Sequence, residues 1–304
     1  MEKSKYIWLD GEFVDWDSAQ VSVMSHTLHY GTGVFEGIRA RETKSGTAIF
    51  RLQDHVDRLF TSCEAYNLDI PYSKNEIFEA IIEIVRKNNL SSAYIRPLVF
   101  FGDGEMGLLP NNVPVRVAIA AWFWGAYLGD EAGSSGVNVC ISEWQRISPK
   151  SFKPFAKGVG GYMNSTLAKI DAVKKGFDDA IMLSDTGSIA EGSGQNIFAY
   201  KDNILLTPPI ATGALGGITR KTVVEIANLL DIECIEKDIN VEVLMSSDEI
   251  FFTGTATEVI GIVSIDGVDI GNGVVGDLTT KIRNKYLEIV NGRDDNFKDY
   301  ITLV

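Results

Sequence analysis

Apolar and polar positions alternate over short stretches in the first part of the chain, and this pattern predicts β-strands. Two short apolar-rich runs flank Asp10 and Gly11, a dipeptide typical of a two-residue hairpin turn. Further alternating or β-branched runs follow at GVFEGIRARE, GTAIFRL, AYIRPLVFF and VRVAIAAWFW, and the first two flank a turn at residues 44–46. The pattern therefore predicts an antiparallel sheet in this part of the chain.

Two helices are predicted between these strands, because apolar residues recur there at helical spacing. The apolar faces are formed by Leu52, Val56, Leu59, Phe60 and Cys63 in the first helix and by Ile77, Ile81, Ile84 and Val85 in the second. Ser73 and Glu76 stand three residues apart before the second apolar face, which is the spacing of a capping box. We expect this helix to begin at the Ser73 cap.

The stretch GAYLGDEAGSSG, residues 125–136, is rich in Gly, Ser and acidic residues and shows little periodicity. Beyond it, strands are predicted at VNVCISEW, DAIMLSD, NIFAY, NILLT and EIFFTGT, with helices near residues 162–176, 219–231 and 277–291. Strands and helices are interspersed in both parts, which indicates an α+β fold. We predict a small domain over residues 1–125, a linker over 126–136 and a large domain over 137–304.

The length of 304 residues and the apolar fraction of 45% predict a globular protein whose core needs neither a disulfide nor a metal. No apolar run approaches the roughly 20 residues of a membrane span, and the first residues resemble no targeting sequence, so a cytoplasmic location is expected. The net charge of −13 argues against nucleic-acid binding. The cysteines lie far apart, and His26 and His29 lack further ligands nearby, so no metal site is expected.

The motif GDGEMG, residues 102–107, matches the glycine pattern of dinucleotide-binding loops and follows a predicted strand. In such a loop the glycines lead into a helix whose N-terminus faces the pyrophosphate. Here the segment LLPNNVP follows, with two prolines and no helical period. NAD or FAD binding is therefore not expected.

Two turns that contain glycine are suited to hold an anion. In GALGGITRKTVVEIANLL, residues 213–230, glycines lead into Ile218 and Thr219 at the start of a predicted helix. Free N–H groups at a helix start, the helix dipole and the Thr219 hydroxyl can bind a phosphate. A threonine N-cap after a glycine turn explains the same pattern. The second turn, FFTGTATE at residues 251–258, is also rich in hydroxyl groups.

Lys157 and Glu191 stand among unusually small residues. Lys157 lies in FAKGVGGYMNS and Glu191 lies in SIAEGSGQNIF, just before a predicted strand. Glycine permits close approach of the backbone to a ligand, although a solvated loop lysine and an exposed acid give the same patterns. A lysine, a carboxylate and a phosphate-binding turn are the groups that pyridoxal phosphate (PLP) requires. Binding of this cofactor explains all three features together.

The chain resembles the class IV, fold type IV, PLP-dependent aminotransferases in the segments EGSGQNIF, LLT and LGGITR, residues 191–198, 205–207 and 215–220. The resemblance extends over essentially the whole chain, through MSHTLHYGTGVFEGIR, AYIRPL, WFWGAYLG and GTATEV. Within the family, these segments look like branched-chain amino acid aminotransferase. Gly216 stands where many relatives have proline, and Val159 and Gly160 occupy positions that vary between members.

The resemblance implies a two-domain fold type IV architecture like that of D-amino acid aminotransferase, with most cofactor contacts in the large domain. It implies reversible amino transfer between L-leucine, L-isoleucine or L-valine and 2-oxoglutarate, by a PLP ping-pong mechanism in a homodimer or higher homo-oligomer. A D-amino acid aminotransferase or an aminodeoxychorismate lyase is the alternative on the same fold. Neither alternative should need the Tyr94 and Arg96 arrangement in AYIRPL.

The same resemblance assigns roles around the cofactor. Lys157 carries it covalently and moves the substrate proton, Tyr162 hydrogen-bonds its phenolic oxygen, and Glu191 pairs with its pyridine nitrogen. The phosphate is assigned to Arg58, Ile218, Thr219 and Thr255, and further cofactor contacts to Gly194, Leu215 and Gly217. From the residues alone, Arg58 is also explained as an exposed helical residue paired with Asp54.

The resemblance also implies a pocket that accepts both a branched side chain and the second carboxylate of glutamate. Its lining is Tyr30, Phe35, Gly37, Tyr94, Leu108, Trp124 and Tyr127, with Leu108 supplied by the other subunit. Arg96, aided by Tyr30 and Tyr127, binds the glutamate carboxylate, while Thr255 and Ala256 bind the α-carboxylate. From the residues alone, these aromatic side chains are explained as core filling.

Overall fold

A computed structural model describes residues 2–123 and 132–304 of the chain. The described residues form two compact units. The first unit lies within the ranges 1–124, 156–161 and 289–304, and the second lies within 125–155 and 162–288.

The strands in chain order are β1 (Tyr6–Leu9), β2 (Glu12–Asp15), β3 (Gly33–Phe35), β4 (Ile38–Thr43), β5 (Gly46–Phe50), β6 (Ala93–Phe101), β7 (Val115–Trp122), β8 (Val137–Ile141), β9 (Asp179–Leu183), β10 (Ile189–Gly192), β11 (Asn196–Lys201), β12 (Ile204–Thr207), β13 (Glu233–Glu236), β14 (Glu249–Gly254), β15 (Glu258–Ile265), β16 (Val268–Asp269) and β17 (Ile301–Leu303). The helices are α1 (His26–Tyr30), α2 (Leu52–Ala65), α3 (Lys74–Lys87), α4 (Ala132–Ser135), α5 (Tyr162–Lys174), α6 (Ile218–Leu229), α7 (Val241–Met245) and α8 (Asp277–Val290).

The first unit contains an antiparallel sheet in the order β17-β5-β4-β6-β7-β1-β2, with β3 also paired to β6. β1 and β2 form a hairpin across Asp10 and Gly11, both of which have positive φ angles, as expected for a tight two-residue turn. β4 and β5 form a second hairpin across the turn at residues 44–46. The predictions of an antiparallel sheet and of both turns are confirmed.

The partner of β6 is interrupted opposite Pro97. β3 pairs with residues 98–100 and β4 pairs with residues 93–95, which leaves Glu36 and Gly37 between the two paired segments. The Pro97 carbonyl accepts a hydrogen bond from the Glu36 N–H at 2.9 Å. Because the N and O atoms of one strand residue point to the same side, the missing N–H of Pro97 also faces this break. A proline is thereby tolerated inside the sheet, and Glu36 and Gly37 fall outside regular pairing.

α2 and α3 carry the apolar faces that complete the core of the first unit, as the sequence predicted. Their buried residues share one cluster with Val34, Ile38 and Ile49 of the sheet. The capping box of α3 is confirmed, since the Ser73 side chain accepts from the Glu76 N–H and the Glu76 carboxylate accepts from the Ser73 N–H.

The second unit contains a mixed sheet in the order β10-β9-β8-β15-β14-β11-β12-β13, with β16 paired to β15. β8 pairs in parallel with both β9 and β15, and β12 pairs in parallel with β13. The core includes Val139, Ile181, Ile197, Phe252 and Ile262, which are all buried strand residues. The strands and helices predicted from sequence in this region are present, and the parallel pairings add to them.

The predicted domain limits differ from the grouping of the described residues in two places. Residues 156–161 and 289–304, which the sequence analysis assigned to the large domain, group with the first unit. β17 pairs with β5, and Gly158 pairs with Val34 of β3. Most of the predicted linker lies outside the described residues, so the linker itself stays a prediction.

Candidate active site

Lys157 lies in a segment that runs beside β3 in the first unit. Its backbone N–H donates to Ser62 Oγ at 3.0 Å, and its carbonyl accepts from the Phe35 N–H at 3.1 Å. Lys157 Nζ lies 5.0 Å from the centroid of the Phe35 ring, within the range of a cation–π contact. Hydrogen bonds therefore fix the backbone at Lys157, while its amine lies near an aromatic ring.

The glycines after Lys157 bring backbone segments of the first unit close together. The Gly160 N–H donates to the Gly31 carbonyl at 3.1 Å, and a Cβ on Gly31 would lie 2.8 Å from Gly160 Cα. A Cβ on Gly158 would lie 2.9 Å from a ring carbon of Tyr66. The sequence interpretation was close approach to a ligand, but at these positions the close neighbour is the protein itself.

Arg58 of α2 is held by a buried carboxylate that the sequence analysis did not single out. Its Nε lies 2.7 Å from Glu36 Oε1 and its Nη2 lies 2.9 Å from Glu36 Oε2. His55 Nδ1 also contacts Glu36 Oε2, at 2.7 Å. The alternative of an exposed Arg58 is wrong, because its side chain is only 13% exposed. The two-point contact fixes the plane of the guanidinium.

The charge states of this cluster follow from burial and from its own contacts. Burial alone raises the pKa of Glu36, but the Arg58 guanidinium, followed by His55, lowers that pKa well below its usual range. Burial lowers the pKa of His55, against the influence of Glu36. At neutral pH, Glu36 is therefore ionised and His55 is neutral, with its Nδ1–H donating to the carboxylate.

We expect the substitution Glu36→Gln to lower the free energy of unfolding by about 3 to 5 kcal/mol, because Arg58 loses its buried counterion. The double substitution with Arg58→Met should recover much of this loss, since it also removes the unpaired charge. Chemical denaturation of the cofactor-free protein measures both effects. The control is Asp57→Asn, which breaks the exposed pair with Lys74 and should cost at most about 1 kcal/mol. A loss for Glu36→Gln no larger than that of the control would contradict the importance of this cluster.

Arg96 of β6 presents a cation to the same part of the first unit. Its guanidinium carbon lies 4.7 Å from the Phe35 ring centroid and 5.3 Å from the Tyr94 ring centroid, and its Nη2 lies 3.3 Å from Tyr94 Oη. Its Nε is buried without a hydrogen-bond partner, and no acidic side chain pairs with Arg96 among the residues that the structure describes. A Cβ on Gly37 would lie 2.0 Å from Tyr94 Oη. Gly37 therefore leaves the space that Tyr94 needs beside Arg96.

The structure describes only some of the remaining predicted pocket residues. Tyr30 ends α1 and is 40% exposed, and Leu108 lies in the loop after β6 and is 86% exposed. The structure places Arg96 and Lys157 beside the Phe35 ring, and Arg96 also contacts Tyr94. Trp124 and Tyr127 lie outside the described residues, so their roles stay predictions.

Glu191 is a buried residue of β10 in the second unit, so its alternative interpretation as an exposed acid is wrong. Its Oε1 lies 2.9 Å from Arg146 Nη2, and its Oε2 accepts from Asn196 Nδ2 at 3.2 Å and from the Leu215 N–H at 3.0 Å. Asn196 Nδ2 also donates to the Leu215 carbonyl at 2.8 Å. An ionised carboxylate accepts from all of these donors, and they hold it in one orientation.

Helix α6 begins where the sequence predicted an anion site. Its N-cap is Gly217, so the interpretation of Thr219 as the N-cap is wrong, and Thr219 lies in the first turn. A Cβ on Gly217 would lie 1.9 Å from Asn196 Oδ1. This glycine therefore permits contact between the start of α6 and the residue that binds Glu191. The first N–H groups of α6, at Ile218 and Thr219, have no partner within the helix.

The other predicted residues of the second unit occupy helix starts and turns. Tyr162 begins α5, and Gly194 lies in the turn between β10 and β11. Thr255 and Ala256 lie in the half-buried turn between β14 and β15. These positions agree with a role in ligand binding, and the roles themselves stay predictions.

The chemistry of these groups fits PLP. The first unit contains a lysine amine and an arginine whose guanidinium is held by a carboxylate. The second unit supplies a buried carboxylate held by an arginine, and the N-terminus of a twelve-residue helix. A covalent anchor, a partner for a protonated ring nitrogen and donors for a phosphate are what this cofactor needs. Among residues 2–123 and 132–304, no group of three or more His, Cys, Asp or Glu side chains is arranged to hold a metal ion.

The sequence and the fold were compared with known proteins. The family described as amino-transferase class IV matches residues 33–265. A branched-chain-amino-acid aminotransferase of Pseudomonas aeruginosa is 47% identical over 303 residues, which cover 100% of this chain and 98% of that protein. The crystal structure of the Escherichia coli branched-chain amino acid aminotransferase has a TM-score of 0.96 at 41% identity, covering 98% of this chain and 99% of that one. The branched-chain amino acid aminotransferase of Thermobaculum terrenum was solved in its PLP form. It has a TM-score of 0.93 at 31% identity and covers 99% of this chain and 99% of its own.

The chain belongs to the class IV aminotransferase family. It is a PLP-dependent aminotransferase with the fold type IV architecture, and the sequence predictions of fold, enzyme class and cofactor are confirmed.

The residues that help to hold the proposed site in place and were not predicted from the sequence include Glu36, His55 and Arg146. Glu36 could have been recognised as a buried acid, because it is an acidic residue inside the apolar strand run VFEGIR. His55 and Arg58 are three residues apart on one helix, as expected for two groups that meet one partner. Arg146 carried no such signal, because it lies in an irregular segment far from Glu191 in sequence.

Proposed function

We propose that this enzyme transfers the amino group of L-leucine, L-isoleucine or L-valine to 2-oxoglutarate, reversibly and by a ping-pong mechanism. Branched-chain amino acid transamination, as predicted from the sequence, is confirmed by the full-length identity to branched-chain-amino-acid aminotransferases. The alternatives, a D-amino acid aminotransferase or an aminodeoxychorismate lyase, are not favoured. The observation that carries the dual-substrate proposal is Arg96, a cation between aromatic rings without an acidic partner in the described chain.

When bound, PLP accepts the amino group and withdraws electrons from the substrate Cα. We propose that Lys157 would hold this cofactor covalently and that its amine would take up the proton that leaves the substrate Cα. Glu191 pairs with the pyridine nitrogen, where its negative charge favours the protonated form of that nitrogen. Arg146, Asn196 and the Leu215 N–H hold the Glu191 carboxylate for this task. Tyr162 donates to the phenolic oxygen.

The phosphate is assigned to Arg58, to the start of α6 and to Thr255. Arg58 offers a guanidinium that Glu36 holds in place, and Ile218 and Thr219 offer the first N–H groups of α6. Thr255 adds a hydroxyl from the turn between β14 and β15. Further contacts with the cofactor are proposed for Gly194, Leu215 and Gly217.

The substrate pocket is assigned to an apolar lining with one cation. An aliphatic side chain packs against the aromatic rings, while the second carboxylate of glutamate takes the place beside Arg96. The α-carboxylate binds at Thr255 and Ala256. The proposed lining is Tyr30, Phe35, Gly37, Tyr94, Leu108, Trp124 and Tyr127.

We expect Arg96→Gln to lower the kcat/KM for glutamate much more than the kcat/KM for leucine. A charge-assisted hydrogen bond contributes about 1.5 to 3 kcal/mol, so kcat/KM for glutamate should fall roughly tenfold to a hundredfold. Leucine lacks the second carboxylate, so its kcat/KM should fall less than about threefold. The measurement is single-turnover conversion of the enzyme by each amino acid, followed by the absorbance of the bound cofactor.

The control for this prediction is Arg86→Gln on α3, which removes an exposed arginine that pairs with Glu83. This substitution should leave the rate of conversion by glutamate and by leucine unchanged. Equal losses for glutamate and leucine in Arg96→Gln would contradict the dual-substrate role and assign Arg96 to the fold or to the cofactor instead.

We also propose that the protein is a homodimer or a higher homo-oligomer in the cytoplasm. Large apolar side chains are exposed in two neighbouring segments of the first unit, at Val23, Leu28, Leu108 and Leu109. Such a surface is typical of an interface between chains, and light scattering measures the oligomeric state. None of the helices in the described parts of the chain is long and apolar enough to cross a membrane.

A further inference from the structure

His26, the first residue of α1, is fully buried and contacts two separate segments of the first unit. Its Nε2 lies 2.7 Å from the carbonyl oxygen of Gly107, which lies in the loop after β6. Its Nδ1 lies 2.7 Å from Thr32 Oγ1, in the segment that leads into β3. The imidazole therefore connects three pieces of chain.

The acceptor at Gly107 determines how the ring is protonated. A carbonyl oxygen can only accept a hydrogen bond, so Nε2 carries a hydrogen and donates it. In the neutral ring, Nδ1 then accepts from the Thr32 hydroxyl. A second bond from Thr27 Oγ1 to the Thr32 carbonyl, at 2.7 Å, ties Thr32 to α1. Both ring nitrogens are used, and the ring plane is fixed.

This fixed ring contacts Tyr30, a residue of the proposed substrate pocket, and the residue that precedes Leu108. The His26 ring centroid is 4.5 Å from the Tyr30 ring centroid, within the range of stabilising aromatic pairs. The bond from its Nε2 holds Gly107, the residue that directly precedes Leu108. The loop that carries Leu108 begins with the GDGEMG segment, residues 102–107, whose glycine pattern is not explained by dinucleotide binding.

We propose that His26 is a positioning residue for substrate selection: it sets the distance between Tyr30 and the loop that carries Leu108. By fixing that distance, it determines how well the pocket accepts a branched aliphatic side chain. This inference rests on the proposed assignment of Tyr30 and Leu108 to the pocket and on both residues reaching it from the same chain, so that the other subunit supplies Tyr30 together with Leu108. His26 does not touch the reacting atoms in this proposal, so it should affect substrate binding more than the rate of the chemical step.

Two substitutions separate the contacts of His26. A glutamine at this position can still donate to the Gly107 carbonyl, because its amide nitrogen occupies a place similar to Nε2, whereas an asparagine reaches only as far as Nδ1. His29→Gln is the matched control, since His29 lies on the same helix but is exposed and contacts the Val23 carbonyl at 2.9 Å.

We expect His26→Asn to raise KM for leucine about twofold to tenfold, the range of one lost neutral hydrogen bond, with kcat changed less than about twofold. His26→Gln and His29→Gln should stay within about twofold of the unmodified enzyme. Hydrogen exchange of the backbone amides of residues 103–110 gives a second readout. Exchange there should be faster in His26→Asn than in His26→Gln or in the control.

The inference is overturned if His26→Asn and His26→Gln behave alike in both readouts, or if kcat falls while KM is unchanged. Leu108→Ala tests the pocket assignment independently of His26. If Leu108→Ala leaves the KM for leucine unchanged, the proposed pocket fails and this inference fails with it. If Leu108→Ala raises that KM but His26→Asn does not, the pocket stands and only the role of His26 is lost.

Discussion

Replacing Lys157 by alanine should abolish covalent cofactor binding and lower turnover by at least about a thousandfold. A positioned proton-transfer group contributes roughly a hundredfold to ten thousandfold on its own, and this substitution also removes the covalent anchor. The structure fixes the backbone of Lys157 through Ser62 and Phe35. Loss of the side chain should therefore leave the segment in place and remove only the amine.

The measurement for this variant combines three readouts: absorbance of the purified protein, mass spectrometry after reduction with borohydride, and steady-state turnover of leucine. Lys150→Ala is the control, because Lys150 is an exposed lysine that precedes Lys157 in the sequence. It should retain the cofactor, the mass shift and the activity. A Lys157→Ala protein that still shows the mass shift or turns over leucine normally would exclude Lys157 as the anchor.

Replacing Glu191 by glutamine should retain the cofactor and slow turnover about tenfold to a thousandfold. An opposite charge beside a titrating group shifts its pKa by about one to three units. The neutral amide carries no charge and therefore cannot raise the pKa of the pyridine nitrogen in this way. Arg146, whose Nη2 lies 2.9 Å from Glu191 Oε1, would then lie beside a neutral amide. Its positive charge would further disfavour protonation of the pyridine nitrogen and slow turnover.

This second prediction is checked by the pH dependence of the absorbance of bound cofactor, together with turnover at each pH. Glu143→Gln is the control, since Glu143 is an exposed acid that pairs with Lys175. It should change neither the absorbance nor the rate. Normal kinetics in Glu191→Gln would remove Glu191 from the site, whereas loss of the cofactor itself would assign Glu191 to binding.

Much of the fold could be predicted because its signals are local. The hairpin at Asp10 and Gly11, the Ser73 cap and the two apolar helix faces each depend on residues close in sequence. Pairing between distant segments leaves no such local pattern. The contact of Gly158 with β3 and the pairing of β17 with β5 therefore could not be predicted, and the domain limits were drawn without them.

The residues of the candidate site also fall into those that could be predicted from the sequence and those that could not. Resemblance to a family supplied the reactive residues, including Lys157, Arg96 and Glu191, and the structure places Lys157 and Arg96 on the same phenylalanine ring. The residues that hold them were not recognised, because a buried charge reveals its partner only in three dimensions. Glu36 beside Arg58 and Arg146 beside Glu191 are both of this kind.

The pairing of β17 with β5 also bears on how the protein is made. Residues 2–123 leave the ribosome long before residues 301–303, so the edge of β5 stays unpaired during most of synthesis. An open strand edge is a template for pairing with another chain. A fragment that ends at residue 123 should therefore aggregate more readily than the full chain. A nascent chain carries the same risk until its last strand is added, unless a chaperone covers that edge.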